Sequence, residues 1–175
     1  MRRGNPITTF TGNAFWPLDP RPEDVDILDI AHSLSQQCRW GGHCDPFISV
    51  AEHCVRVSRL VPLRHALWGL LHDAAEAYLV DLPTPIKRVI PTYSAAEEEV
   101  LMVIAASFGL ALPIPQAVHH ADGVLQATEH RDLMNGPTAP WMERTQRLSD
   151  RIVPWTTHEA KQKFLDRFTE LRKAA

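Results

Sequence analysis

The sequence predicts an all-α protein, a single compact bundle of roughly five to seven helices. Three observations predict it. Apolar residues recur every three or four positions in one segment after another. No stretch alternates apolar and polar residues as a half-buried strand does. With 175 residues, 45% hydrophobic and 22% charged, the chain is long enough for one sizeable core and too apolar for disorder.

Residues 1–23 are irregular, punctuated by Gly4, Pro6, Gly12, Pro17, Pro20 and Pro22. Phe10, Phe15, Trp16 and Leu18 are expected to dock this arm on the domain that occupies 24–175. From Asp24 the spacing of Val25, Ile27, Leu28, Ala31 and Leu34 predicts a first helix, capped by Asp24 or Asp26. Arg39-Trp40-Gly41-Gly42-His43 ends it. A second helix runs from about Phe47 to Leu60, with Val50, Cys54, Val57 and Val61 to one side. Pro62 opens a third, from about Leu63 to Val80, and the two prolines of DLPTPIKR turn the chain after it. The fourth covers about Tyr93 to Phe108 and stops at Gly109. Pro113 and Pro115 open the fifth, which reaches about Met134. NGPTAPW reads as a loop, and 141–157 has room for one short helix. A last amphipathic helix, about Thr157 to Arg172, turns Phe164, Phe168 and Leu171 inward.

Charge and cysteine content narrow the function. Eighteen Lys+Arg against 21 Asp+Glu give a net charge of -3, which excludes a simple basic binder of nucleic-acid polymers. The apolar runs are too short to span a bilayer, and MRRGNPITTFTG has no apolar core of a secretory signal. Cys38, Cys44 and Cys54 are too few and too close together for a disulfide framework. The expectation is a cytoplasmic protein with no membrane partner.

The informative stretch is 66–88, ALWGLLHDAAEAYLVDLPTPIKR. It is apolar nearly all round, as buried helices are, yet it carries His72, Asp73 and Glu76. Buried charges need partners or a metal. Glu76 lies four residues after His72 and three after Asp73, so the three can address one side of a helix. A metal held by His72 and Asp73 would bring Glu76 beside its water, where a carboxylate can relay a proton. His53 in SVAEHC and Asp122 in HHAD are candidates for the remaining ligands. Two imidazoles and two carboxylates suit manganese, cobalt, iron, nickel or zinc better than calcium. Spacing alone leaves a second reading open, in which these residues are satisfied polar groups of the core.

HDAAE, preceded by SVAEHC and followed by HHAD, resembles the HD-domain metal-dependent phosphohydrolases. The likeness extends to a small bacterial and phage branch related to the 5'-deoxynucleotidases. It is carried by Arg39-Trp40, by Val80-Asp81-Leu82-Pro83, by AFWPLDP from Ala14, by GGH from Gly41 and by ATEHRDLM from Ala127. It covers roughly residues 10–135. Where that branch has a Gly-Asp-Leu-Pro-like turn, this chain has Val80 in the glycine position.

The resemblance implies one divalent cation held by His53, His72, Asp73 and Asp122. It implies the catalytic residues Glu76, in proton transfer with Asp81 in support, and Arg39, on the phosphate. It also places Trp40 beside the sugar, where it disfavours a 2'-hydroxyl, and Asp81 at the sugar and phosphate edge. The substrate implied is a deoxyribonucleoside 5'-monophosphate, and the assembly implied is a homodimer. His43, close to Arg39-Trp40, is a further candidate for contact with the phosphate. His119 and His120 are left out of the ligand set, and Glu129 and Asp132 are read as residues that tie helices together. A triphosphohydrolase acting on dATP fits the same ligand set. A non-catalytic nucleotide-binding module on the same fold is a second alternative, and the presence of all the metal ligands argues against it.

Overall fold

Helix α1 (Ile27–Gln36) starts at Asp26, whose carboxylate accepts the Leu28 N–H at 2.8 Å. The computed structural model, which describes residues 1–174, continues with α2 (Val50–Leu60), α3 (Leu63–Leu71), α4 (Glu76–Leu79), α5 (Thr84–Lys87) and α6 (Pro91–Phe108). It ends with α7 (Gln116–Leu133), α8 (Pro140–Glu143) and α9 (Thr157–Lys173). Six of these have nine residues or more, and α4, α5 and α8 are single turns. The protein is an all-α bundle, as its periodicity predicts. Among the described residues no helix is long and apolar enough to cross a membrane.

Two expectations about elements are corrected. Residues 1–23 hold a small antiparallel ladder, Ile7–Thr8 with Ala14–Phe15, where no strand is expected. It is too short for an alternating pattern to register. The helix expected over 63–80 is not continuous. It ends at Leu71, passes through a tight turn at 72–75 and resumes at Glu76. There the backbone closes three-residue hydrogen bonds, Glu76 N–H to Asp73 O at 3.0 Å and Ala77 N–H to Ala74 O at 3.2 Å.

The arm docks through its aromatic residues. Phe15 is fully buried and stacks on Tyr78 with ring centroids 3.8 Å apart. Phe10, though about half exposed, stacks on His32 of α1 at 3.7 Å, whereas Leu18 stays about half exposed. Buried Asp29 adds polar anchors, accepting Thr11 N–H at 2.7 Å and Thr11 Oγ1–H at 3.0 Å.

Three features set the framework around α2. Ser49 caps its start, accepting Glu52 N–H at 3.1 Å. Gly69 lets α3 press against it, for a Cβ there would stand 2.8 Å from Ser58 Cα. An isolated bridge pairs Cys38 with Ser49 and lays Arg39 beside the head of α2. On its other flank, Arg167 of α9 donates to Ser58 Oγ at 3.1 Å and Ser58 O at 3.0 Å. The chain between α8 and α9 is tied down by buried acceptors: Ile152 N–H reaches Asp132 at 2.9 Å and Trp155 N–H reaches Glu52 at 2.7 Å.

Candidate metal centre

His53 comes from the middle of α2, His72 from the end of α3, Asp73 from the turn after it, and Asp122 from α7. These distant segments converge. His53 Nε2 lies 3.1 Å from Asp122 Oδ1 and 3.9 Å from Asp73 Oδ2. His72 Nε2 lies 3.3 Å from Asp73 Oδ2. His53, His72 and Asp122 each bring one ligand atom within 4.8 Å of the others, and so do Cys54, His72 and Asp73.

Both imidazoles are held by their other nitrogen. His53 Nδ1–H donates to Glu129 Oε1 at 2.6 Å, and His72 Nδ1–H donates to the Gly69 carbonyl at 2.9 Å. That assignment turns both Nε2 lone pairs inward. Both Nε2 atoms are buried and have no hydrogen-bond partner. His53 Nε2 approaches Asp122 closely but off the axis a hydrogen bond needs. Two acceptors 3.1 Å apart repel unless a cation or a proton lies between them. The donor set therefore fits a divalent ion of the borderline class.

The same neighbours shift one another's titration. Burial and the Arg39 charge push the His53 imidazole down, and the Glu129 and Asp122 carboxylates more than reverse this, up to about 9. Burial raises Asp122, but His53 overcomes it and holds that carboxyl well below its usual range. Burial, then the charges of Asp73 and Asp81, push Glu76 up to about 10.

Glu129 is the residue whose part the sequence conceals. It is fully buried, and besides His53 it accepts Arg39 Nε–H at 3.2 Å and Trp40 Nε1–H at 3.1 Å. Burial pushes it up, while Arg39 and His53 bring it down to about 2. One carboxylate thus orients a candidate ligand, a candidate phosphate-binding arginine and a candidate sugar-facing indole. The motif ATEHRDLM was the available signal, and it points only to helix ties.

Arg39 also places Nη1 3.7 Å from Asp73 Oδ2. Trp40 is half-buried in a left-handed turn, with φ of 59° at Trp40, 59° at Gly41 and 84° at Gly42. Glycines at the last two positions make that turn accessible. His43 does not join the group, since its side chain is exposed at the end of the turn. Asp81 stands farther out, exposed, 3.0 Å from Lys87 Nζ. Cys54 is fully buried, with Sγ close to ligand atoms of His72 and Asp73. The tight turn at 72–75 brings Asp73 to it.

A cavity of about 190 Å³ opens beside His72. His72, Asp73 and Glu76 form one wall, and Lys87, Glu97 and Leu101 form the other. Burial works against the Lys87 charge, but the hydrogen bonds to Glu97 and Asp81 overcome it.

No family model matches the chain. It is 40% identical to YfdR of Escherichia coli strain K12, an uncharacterized protein, over 177 residues that span 97% of this chain and 98% of that one. The chain belongs to the YfdR family. An uncharacterized protein of Rhodobacter capsulatus is 38% identical over 121 residues, 61% of this chain and 62% of that one. Likeness to YfdR along nearly the whole chain, together with the clustered donors, supports a metal-dependent hydrolase resembling the HD superfamily.

Proposed function

We propose that this YfdR relative is a phosphohydrolase that removes the 5'-phosphate from deoxyribonucleoside monophosphates. It does so with one divalent transition-metal ion held by His53, His72, Asp73 and Asp122. The observation that carries the reading is the pair of buried Nε2 atoms without hydrogen-bond partners, facing carboxylates at 3.1 and 3.3 Å. The resemblance in Arg39-Trp40 and Val80-Asp81-Leu82-Pro83 supports the deoxynucleotide.

When bound, the cation supplies positive charge that polarises a phosphoryl oxygen and acidifies water. Glu129 and the Gly69 carbonyl hold the two imidazoles in the tautomer that ligation requires. Arg39 keeps guanidinium donors beyond the one Glu129 takes, and a planar fork matches phosphate oxygens. The Glu76 carboxyl, at the cavity wall, is the group that moves the proton between attacking water and the leaving 5'-oxygen. The P–O5' bond breaks as the new P–O bond forms, and the products are a deoxynucleoside and inorganic phosphate. Glu129 fixes the Trp40 indole as the surface on which the sugar rests, and Asp81 addresses the sugar edge.

A panel of nucleotides with Mn²⁺, with products separated by ion chromatography, tests this. Orthophosphate from deoxyribonucleoside monophosphates, abolished by chelator, is expected. Tripolyphosphate from dATP would transfer the site to the triphosphohydrolase reading. Hydrolysis that survives chelation would remove the metal from the chemistry.

A further inference from the structure

A second carboxylate cluster adjoins the histidine centre. Glu76 on α4, Asp81 in the following turn and Glu97 on α6 each bring one oxygen within 4.8 Å of the other two. Three carboxylates at that spacing repel unless a cation or a proton sits among them. Lys87 supplies one, with Nζ 2.8 Å from Glu97 Oε1 and 3.0 Å from Asp81 Oδ1. One acceptor is left over. Glu76 is 7% exposed, lines the same cavity, and its Oε2 has no hydrogen-bond partner. Three carboxylates from three segments are also the hard oxygen donors that a divalent ion takes.

We propose that Glu76, Asp81 and Glu97 form a second divalent-cation site that the Lys87 ammonium occupies in the native chain. The native protein then takes one metal ion, and its second positive charge is a side chain. Lys87 shares a cavity with His72 and Asp73, so an anionic substrate at the first cation meets a charge that does not leave with the product. The inference rests on the reading above for the first cation.

The test counts Mn²⁺ per folded chain by equilibrium dialysis and elemental analysis. It compares the native protein, Lys87→Met and the double variant Lys87→Met with Glu97→Gln, with folding checked by circular dichroism. Lys87→Gln repeats the measurement with a side chain that keeps hydrogen-bond donors, in case the methionine variant fails to fold. About one ion is expected in the native protein, two when Lys87 is replaced, and one again in the double variant. Two ions in the native protein, or no gain on replacing Lys87, overturns the inference. No ion in the native protein, with one gained on replacing Lys87 and lost with Glu97→Gln, leaves the inference standing and removes the reading above.

Discussion

Glu129 accepts three hydrogen bonds that neutral amide chemistry cannot all satisfy in the same way. Glu129→Gln is expected to weaken Mn²⁺ binding by about 10- to 100-fold, because His53 loses the partner that fixes its tautomer. A titration with unchanged affinity would separate Glu129 from the metal site. Glu76→Gln is expected to keep the ion and to slow turnover by about 10²- to 10⁴-fold. Single-turnover rates at saturating metal decide that, and a full-speed variant removes Glu76 from proton transfer. The motif residues were legible because their types are costly in an apolar helix, which makes His72, Asp73 and Glu76 conspicuous. Glu129 was not, for its importance lies in what two other elements bring to it. Cys54, one position beyond His53 on α2, carries no such signal either, and its Sγ lies near Asp73 of the turn at 72–75.

That turn shows where legibility stops at the level of elements. HDAA contains no proline or glycine, and its alanines favour a helix, so nothing local announces a break. The break comes from tertiary demands: α3 is pressed on α2 at Gly69, and the carboxylates must reach α7. Gly69→Ala is expected to cost about 1–3 kcal/mol, because its Cβ would meet backbone rather than a yielding side chain. Urea unfolding at neutral pH measures it, and a neutral result would mean that α2 and α3 can slide apart freely. After α4, Val80 takes φ 62° and ψ 149°, a conformation that suits glycine and not a β-branched residue. Val80→Gly is therefore expected to stabilise the protein by about 1 kcal/mol, after the added chain entropy of glycine is subtracted. A loss of stability in the same unfolding assay would show that no strain is held there.

Across the whole molecule, the last third is fastened to the bundle by buried carboxylates as well as by apolar packing. Asp132 accepts Arg131 Nε–H at 2.7 Å and Nη2–H at 2.8 Å, and also receives the Ile152 N–H. The Arg131 hydrogen bonds hold its carboxyl below the usual range against the effect of burial. A folded-state value below the unfolded one contributes stability above about pH 4 that disappears as the pH falls through the lowered value. Asp132→Asn is expected to cost about 1–3 kcal/mol at pH 7, with the gap to the native protein closing in acid. Unfolding curves at several pH values check this, and a gap that is constant with pH would leave Asp132 without an electrostatic part. Removing the metal acts at the same scale. The proposed ligand set, drawn from α2, α3, the next turn and α7, would tie the bundle together, so Mn²⁺ at about 100 times its Kd is expected to add about 2.7 kcal/mol. Equal melting temperatures with and without chelator would contradict that. The all-α class and the long helices were readable from periodicity, which is a property of each segment alone. The arm's anchor on Asp29 was not, because it pairs residues far apart in the chain, and for Asp132 a tying role was readable while its partner, the Ile152 N–H, was not.

The carboxylate on α7 that grips both His53 and Arg39 makes two talents of this protein inseparable. On the proposed reading, altering the arginine to favour another nucleotide would, through one shared anion, loosen or tighten the hold on the ion as well. Substrate choice and metal choice in such a centre drift together, so paired substitutions at Arg39 and His53 should depart from the sum of their single effects.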